Sequence, residues 1–77
     1  MRDLLDYVAR LLVEAPAEVQ VEQFEEDDGT VVLELAVASD DYGRIIGRGG
    51  RTANALRILV KAAAVKENRR VLVDIVD

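Results

Sequence analysis

Apolar residues recur along the chain with two periods, and the switches between them divide it into six segments. From residue 3 to 14 the spacing is helical, with Leu4, Leu5, Val8, Leu11 and Leu12 on one stripe. Asp3 is placed to cap the start. Pro16 ends the pattern, because the residue before a proline avoids the helical region. Between Val19 and Glu26 the period falls to two, with Val19 and Val21 on one face. Phe24 is out of phase with them, which predicts a bulge or an early end. Asp28-Gly29 is a two-residue hairpin signal. From Thr30 to Ala38 the alternation is clean: Val31, Leu33, Leu35 and Val37 against Val32, Glu34, Ala36 and Ala38.

The second half returns to helical spacing. Ser39-Asp40-Asp41 reads as a helix start, with Ser39 as cap and two carboxylates at the positive end of the dipole. This helix runs from about Asp40 to Ile46 and stops at Gly47. A longer one follows from Arg51 to about Lys66, ending by Asn68. Its predicted buried stripe is Ala55, Leu56, Leu59, Val60 and Ala63, with Arg57 and Lys61 four apart on another face. Arg70 to Val76 is the last strand, with Val71, Val73 and Ile75 opposite Leu72, Asp74 and Val76. A hairpin joins strands one and two, and a two-helix crossover makes strands two and three a parallel pair. The prediction is a two-layer α+β sandwich, strand order 1-2-3, with three helices on one face of a mixed three-stranded sheet.

Composition narrows the chemistry. There is no Cys and no His, which removes disulfides, thiolate metal sites, Cys nucleophiles and imidazole acid–base catalysis. The only serine, Ser39, has no histidine to activate it. The acidic run Glu25-Glu26-Asp27-Asp28 lacks calcium-loop spacing and reads as a solvated hairpin tip. No catalytic residue, metal, cofactor or small-molecule substrate is expected. No apolar run approaches the ~18 residues of a membrane span. The opening Met-Arg-Asp, with Asp3 and Asp6 following, does not resemble a signal peptide. A cytoplasmic protein without membrane association is expected. A chain of 77 residues buries a modest core, so dimerisation would help it.

The net charge of −5 argues against a nucleic-acid partner until its distribution is examined. Residues 1–39 carry two basic and ten acidic groups, whereas residues 40–70 carry eight basic and three acidic. Four of the five glycines also fall in the basic half, between Gly43 and Gly50, interleaved with Arg44 and Arg48 and followed by Arg51-Thr52. Glycine permits close approach to the main chain, and arginine suits phosphate. A P-loop is excluded, since no Lys-Ser/Thr follows and a helix rather than a strand precedes. A dinucleotide fingerprint is excluded too, because Gly47-Arg48-Gly49-Gly50-Arg51-Thr52 lacks the last glycine and lies between two helices.

The stretch Ile46-Gly47-Arg48-Gly49-Gly50, between a short and a long helix, resembles the Gly-x-x-Gly loop of KH domains, which clamps about four single-stranded nucleotides. The element order matches the type II KH fold, over residues 1–77 as one domain. The sequence Gly43-Arg44-Ile45-Ile46-Gly47-Arg48-Gly49-Gly50-Arg51-Thr52-Ala53, then Ala55-Leu56-Arg57 and Lys61-Ala62-Ala63-Ala64, is similar to the small bacterial KhpA family. The resemblance implies single-stranded RNA as ligand and a dimer, with itself or with a larger KhpB-like KH protein. It also implies RNA chaperone activity or post-transcriptional regulation, linked to cell shape and cell division. Departures are Ala53, where many KH domains carry a large aliphatic residue, and the single loop cation.

The expected site places Gly47, Arg48, Gly49, Gly50 and Arg51 on phosphates, with Thr52 as a further RNA contact, in a groove between the loop and the sheet edge. Arg44 adds charge. Ile45, Ile46 and Val37 offer an apolar floor for bases, and Arg57 and Lys61 are peripheral contacts. The alternative is a protein-interaction and dimerisation module with little RNA affinity. It would dock partners through the acidic N-terminal half or the Ala62–Ala64 and Val71–Val76 region.

Overall fold

The computed structural model describes residues 1–77. Its elements follow the predicted order: α1 (Arg2–Leu12), β1 (Gln20–Glu25), β2 (Val31–Ala36), α2 (Ser39–Ile46), α3 (Arg51–Lys66) and β3 (Val71–Val76). Single 3-10 turns stand at Pro16–Glu18 and Arg48–Gly50. β2 is central, antiparallel to β1 and parallel to β3, as the pattern predicts. The β1–β2 register runs unbroken from Gln20↔Ala36 to Glu25↔Val31, so no bulge forms at Phe24. Phe24 lies instead on the outer face of the sheet, which the helices do not cover, and is 48% exposed. The hairpin loop is also one residue longer than expected. The amide of Gly29 donates to the Glu26 carbonyl and that of Glu26 to the Thr30 carbonyl, enclosing Asp27-Asp28-Gly29 with Gly29 at φ +87°. Asp28 accepts from the Thr30 amide at 2.9 Å, and this bond holds its carboxyl below the ordinary value of 3.8. That contribution to the hairpin is present at neutral pH and fades as the pH falls below the ordinary value toward the lowered one.

The core is wholly aliphatic. Val31, Leu33 and Leu35 of β2 and Val71, Val73 and Ile75 of β3 form its floor, with Val19 and Val21 at the β1 side. Leu5 and Ala9 of α1, Ile45 of α2 and Ala53, Leu56, Val60 and Ala64 of α3 form its roof. The buried stripe of α3 is therefore narrower than predicted. Ala55 is exposed, Leu59 is 40% exposed and Ala63 is half-buried. The reason is tertiary: α3 packs over β3 and α2, and Ala55 and Leu59 face a groove between α3 and α1 that nothing fills.

The helix ends also differ. Helix α1 begins at Arg2 with Met1 in the cap position, and α2 begins at Ser39 with Ala38 there; neither Asp3 nor Ser39 makes a capping bond. The carboxylate that matters is Asp41, only 3% exposed. It accepts the amides of Glu14 and Ala15, both at 3.1 Å, and so ends α1 before residue 14 and ties it to the first turn of α2. At the other end of the chain, Asn68 at φ +56° ends α3, with the Arg69 amide on the Ala64 carbonyl and the Asn68 amide on the Val65 carbonyl. Both free sheet edges are covered by arginine: Arg2 Nε donates to the Val21 carbonyl and Arg57 Nε to the Val73 carbonyl. Such covering blunts strand addition at an open edge.

Asp41→Ala removes a buried acceptor from two amides. It should cost about 2 kcal/mol and lower the thermal midpoint by roughly 10 °C, read by circular dichroism.

Candidate nucleic-acid interface

Three backbone positions between α2 and α3 are left-handed, and all three are glycine. Gly47 is at φ +76°, ψ 169°, Gly49 at φ +63°, ψ 20° and Gly50 at φ +80°, ψ 12°. Arg48 is the only side chain carried between them. The three glycines are not equivalent. A Cβ on Gly47 would meet the Thr52 amide nitrogen at 2.8 Å and Cβ at 2.9 Å, and would also press on its Oγ1. This combination of φ and ψ is one that essentially only glycine adopts. A Cβ on Gly49 would meet nothing within 4 Å. Gly47 is therefore the hinge that stacks α2 on α3, with Thr52 as the surface it packs against. Gly49 is the open tip.

Behind the tip, no side chain caps α3. The Arg51 amide donates to the Arg48 carbonyl, so this 16-residue helix directs at the loop chiefly the positive end of its dipole. Arg48 and Arg51 are exposed and make no ion pair. The wider pattern is informative. Arg2, Arg10, Arg44, Arg69 and Arg70 all meet carboxylates. The basic side chains that meet none are Arg48, Arg51, Arg57, Lys61 and Lys66, all between the loop and the end of α3.

Several expected contacts are placed elsewhere. Arg44 lies 2.6 Å from Glu14 and 3.6 Å from Asp41, so its charge is neutralised beside the α1–α2 latch. Ile45 has no exposed surface and Val37 is only 5% exposed; both are core residues and present no floor to a base. Ile46 and Thr52 are half-buried. Arg57 is engaged by the Val73 carbonyl at 3.2 Å. Lys61 is exposed, but ten residues from Arg51 it stands about 15 Å along the helix axis. The depression that reaches the loop lies between α1 and α3. It is lined by Val8, Leu12, Ala55, Leu56 and Leu59 and opens at Arg51 and Thr52.

One residue escapes a reading based on the loop alone. Gly43 sits inside α2 without a left-handed angle, is exposed, and has open space where its Cβ would be. A helix-interior glycine costs about 1 kcal/mol against alanine, and nothing within the chain requires it. Its position one turn before Gly47 is the signal that could have marked it.

Comparison with known proteins gives the family and the fold. Residues 2–75 match the family model described as KhpA/KhpB, KH domain. An RNA-binding protein KhpA of Clostridium acetobutylicum is 49% identical over 76 residues, covering 99% of this chain and all of the relative. That of Halalkalibacterium halodurans is 49% identical over 78 residues, with both chains fully covered. That of Treponema pallidum is 43% identical over 75 residues, 97% of this chain and 92% of the relative. Among solved structures, a chain of Era in complex with MgGDPNP and nucleotides 1506–1542 of 16S ribosomal RNA superposes with a TM-score of 0.66. It does so over 96% of this chain and 28% of that one, at 18% identity, a likeness of fold. With its helix-strand-strand-helix-helix-strand order, its glycine loop between α2 and α3 and these full-length relatives, the chain belongs to the KhpA/KhpB KH-domain family.

Proposed function

We propose that the protein binds single-stranded RNA at the Gly47–Gly50 loop, as an RNA chaperone or post-transcriptional regulator acting as a dimer. One observation carries the reading: the cations left without carboxylates begin at the left-handed glycine loop and continue along α3. Arg48 and the amide of Gly49 contact phosphate, Arg51 a neighbouring one, and the uncapped start of α3 adds its dipole, while the Gly50 amide closes the turn on the Gly47 carbonyl at 3.1 Å. Bare backbone at Gly43 gives a base a flat approach that a methyl group would obstruct. About four nucleotides fit such a loop in related domains, and the names of the full-length relatives support RNA as the ligand. Phosphate contact rests on few cations, so affinity is modest and salt-sensitive.

A second reading, the dimerisation module, has its own observation. Ile58 and Val65 of α3 are 69% and 76% exposed, and Tyr7 and Leu11 of α1 are 64% and 67% exposed. The partner-docking residues suggested by the sequence divide: Ala64, Val71, Val73 and Ile75 are buried, whereas Ala62, Leu72 and Asp74 are exposed. The exposed α1–α3 face is the better dimer surface, for a second copy or a KhpB-like KH protein. RNA binding and pairing then occupy different surfaces and coexist.

Four measurements test these readings. Arg48→Asp with Gly49→Asp should abolish binding of single-stranded RNA with the fold retained, since aspartate tolerates the left-handed angle and meets no neighbour at position 49. Retained binding would remove the loop assignment. In wild type, log affinity against log salt should fall with a slope of about −1.4 for two phosphate contacts, and Arg51→Gln should bring it to about −0.7. Gly43→Ala should raise stability by about 1 kcal/mol while weakening RNA binding, whereas Gly47→Ala should lose about 1–3 kcal/mol. For the dimer, Ile58→Asp should give a monomer by sedimentation velocity without loss of RNA binding per chain.

A further inference from the structure

The helices cover one face of the sheet, and the strand register orders what the other face shows. Phe24 pairs with Val32, and Val32 with Leu72, so these three form one apolar row across all strands. Two residues along, Glu22 pairs with Glu34, and Glu34 with Asp74, forming a row of three carboxylates. Phe24 and Leu72 are 48% and 52% exposed. None of the three acids meets a basic side chain. On the hairpin side, Arg70 leans toward Asp28 at 4.0 Å and Arg69 is paired with Glu25 at 2.6 Å. Like charges directly opposed on neighbouring strands are destabilising, so this row works against the fold it sits on. A face of this kind is satisfied by cations that another molecule brings.

We propose that the outer sheet face docks a basic amphipathic helix of a protein partner, laid across the three strands. Strands are spaced about 4.8 Å apart, and residues i, i+4 and i+7 of a helix recur every 5–6 Å along its surface. Three Lys or Arg on one stripe therefore match Glu22, Glu34 and Asp74. Apolar residues on the adjoining stripe match Phe24, Val32 and Leu72, about 7 Å away along the strands. RNA is excluded, because its phosphates would meet three carboxylates. A second copy of the chain placing its own α3 there would make a heterologous contact that does not close and would grow into polymers. The face lies on the sheet layer, away from the loop, so docking is independent of the RNA reading.

The test uses a synthetic 16-residue helical peptide with three lysines on one stripe and leucines on the next, titrated into the isotopically labelled full chain. Amide shifts should concentrate at residues 22–24, 32–34 and 72–74, and the same peptide with Glu for Lys should not bind. Glu34→Lys should weaken binding about tenfold or more. Glu34→Gln, which keeps shape and should melt no lower than wild type, should weaken it about threefold. The proposal fails if the shifts fall on the α1–α3 groove, or if affinity is unchanged in both variants. It also fails if magnesium alone gives the same shifts, or if these rows shift with protein concentration before peptide is added.

Discussion

Everything the basic half of this protein presents depends on the contact between Gly47 and Thr52. With ψ near 170° and φ positive, Gly47 turns the chain so sharply that α2 and α3 stack, and the amide and side chain of Thr52 fill the space where a side chain would stand. That single turn does two things. It aims the uncapped start of α3 at the loop, and it lets Ile45 and Ala53, on either side, reach the same core. The proposed anion site and the hydrophobic junction are thus one local conformation. A chain with any other residue at 47 would have to move α3, and with it Leu56 and Val60, to relieve the clash.

Ion pairing then sorts the charges. Arg44 would be expected to serve the loop on proximity alone, but Asp41 and Glu14 hold it on the side of the α1–α2 latch. Asp41 is the more consequential partner, because it also accepts two backbone amides and so decides where α1 stops. The arginines at both sheet edges are likewise committed to the fold, bonding carbonyls that would otherwise be open to another strand. What remains free is Arg48 in the loop and a short series on α3. The site is defined as much by where carboxylates are missing as by where cations are present.

Periodicity carried most of the architecture, because strands β2 and β3 alternate cleanly and β2 is buried at every second residue. The loop was legible because left-handed angles demand glycine, and each positive-φ position there is one. Tertiary choices were not legible. The expected caps Asp3 and Ser39 gave way to Asp41, which sees amides 26 and 27 residues away, a pairing no local pattern contains. The α3 stripe was misjudged since Leu59 is apolar yet faces an unfilled groove, and hydropathy cannot tell a core leucine from one on an open surface. Ile45 differs in the opposite sense: its place in sequence beside the proposed RNA loop suggests exposure, and the fold buries it in the core.

The acidic total and the basic loop are reconciled by distance and screening. The molecule measures 34 × 21 × 18 Å, so even its shortest dimension exceeds the Debye length of about 8 Å at physiological salt. The carboxylates of the outer sheet face and of the hairpin tip therefore add little to the potential felt at Arg48 and Arg51. At low salt the same carboxylates act over the whole molecule and oppose a polyanion approaching from the sheet side, leaving the loop as the side of entry. On the proposed reading, the net charge of −5 weakens the contact little at physiological salt, and at low salt it restricts the direction from which the contact is made.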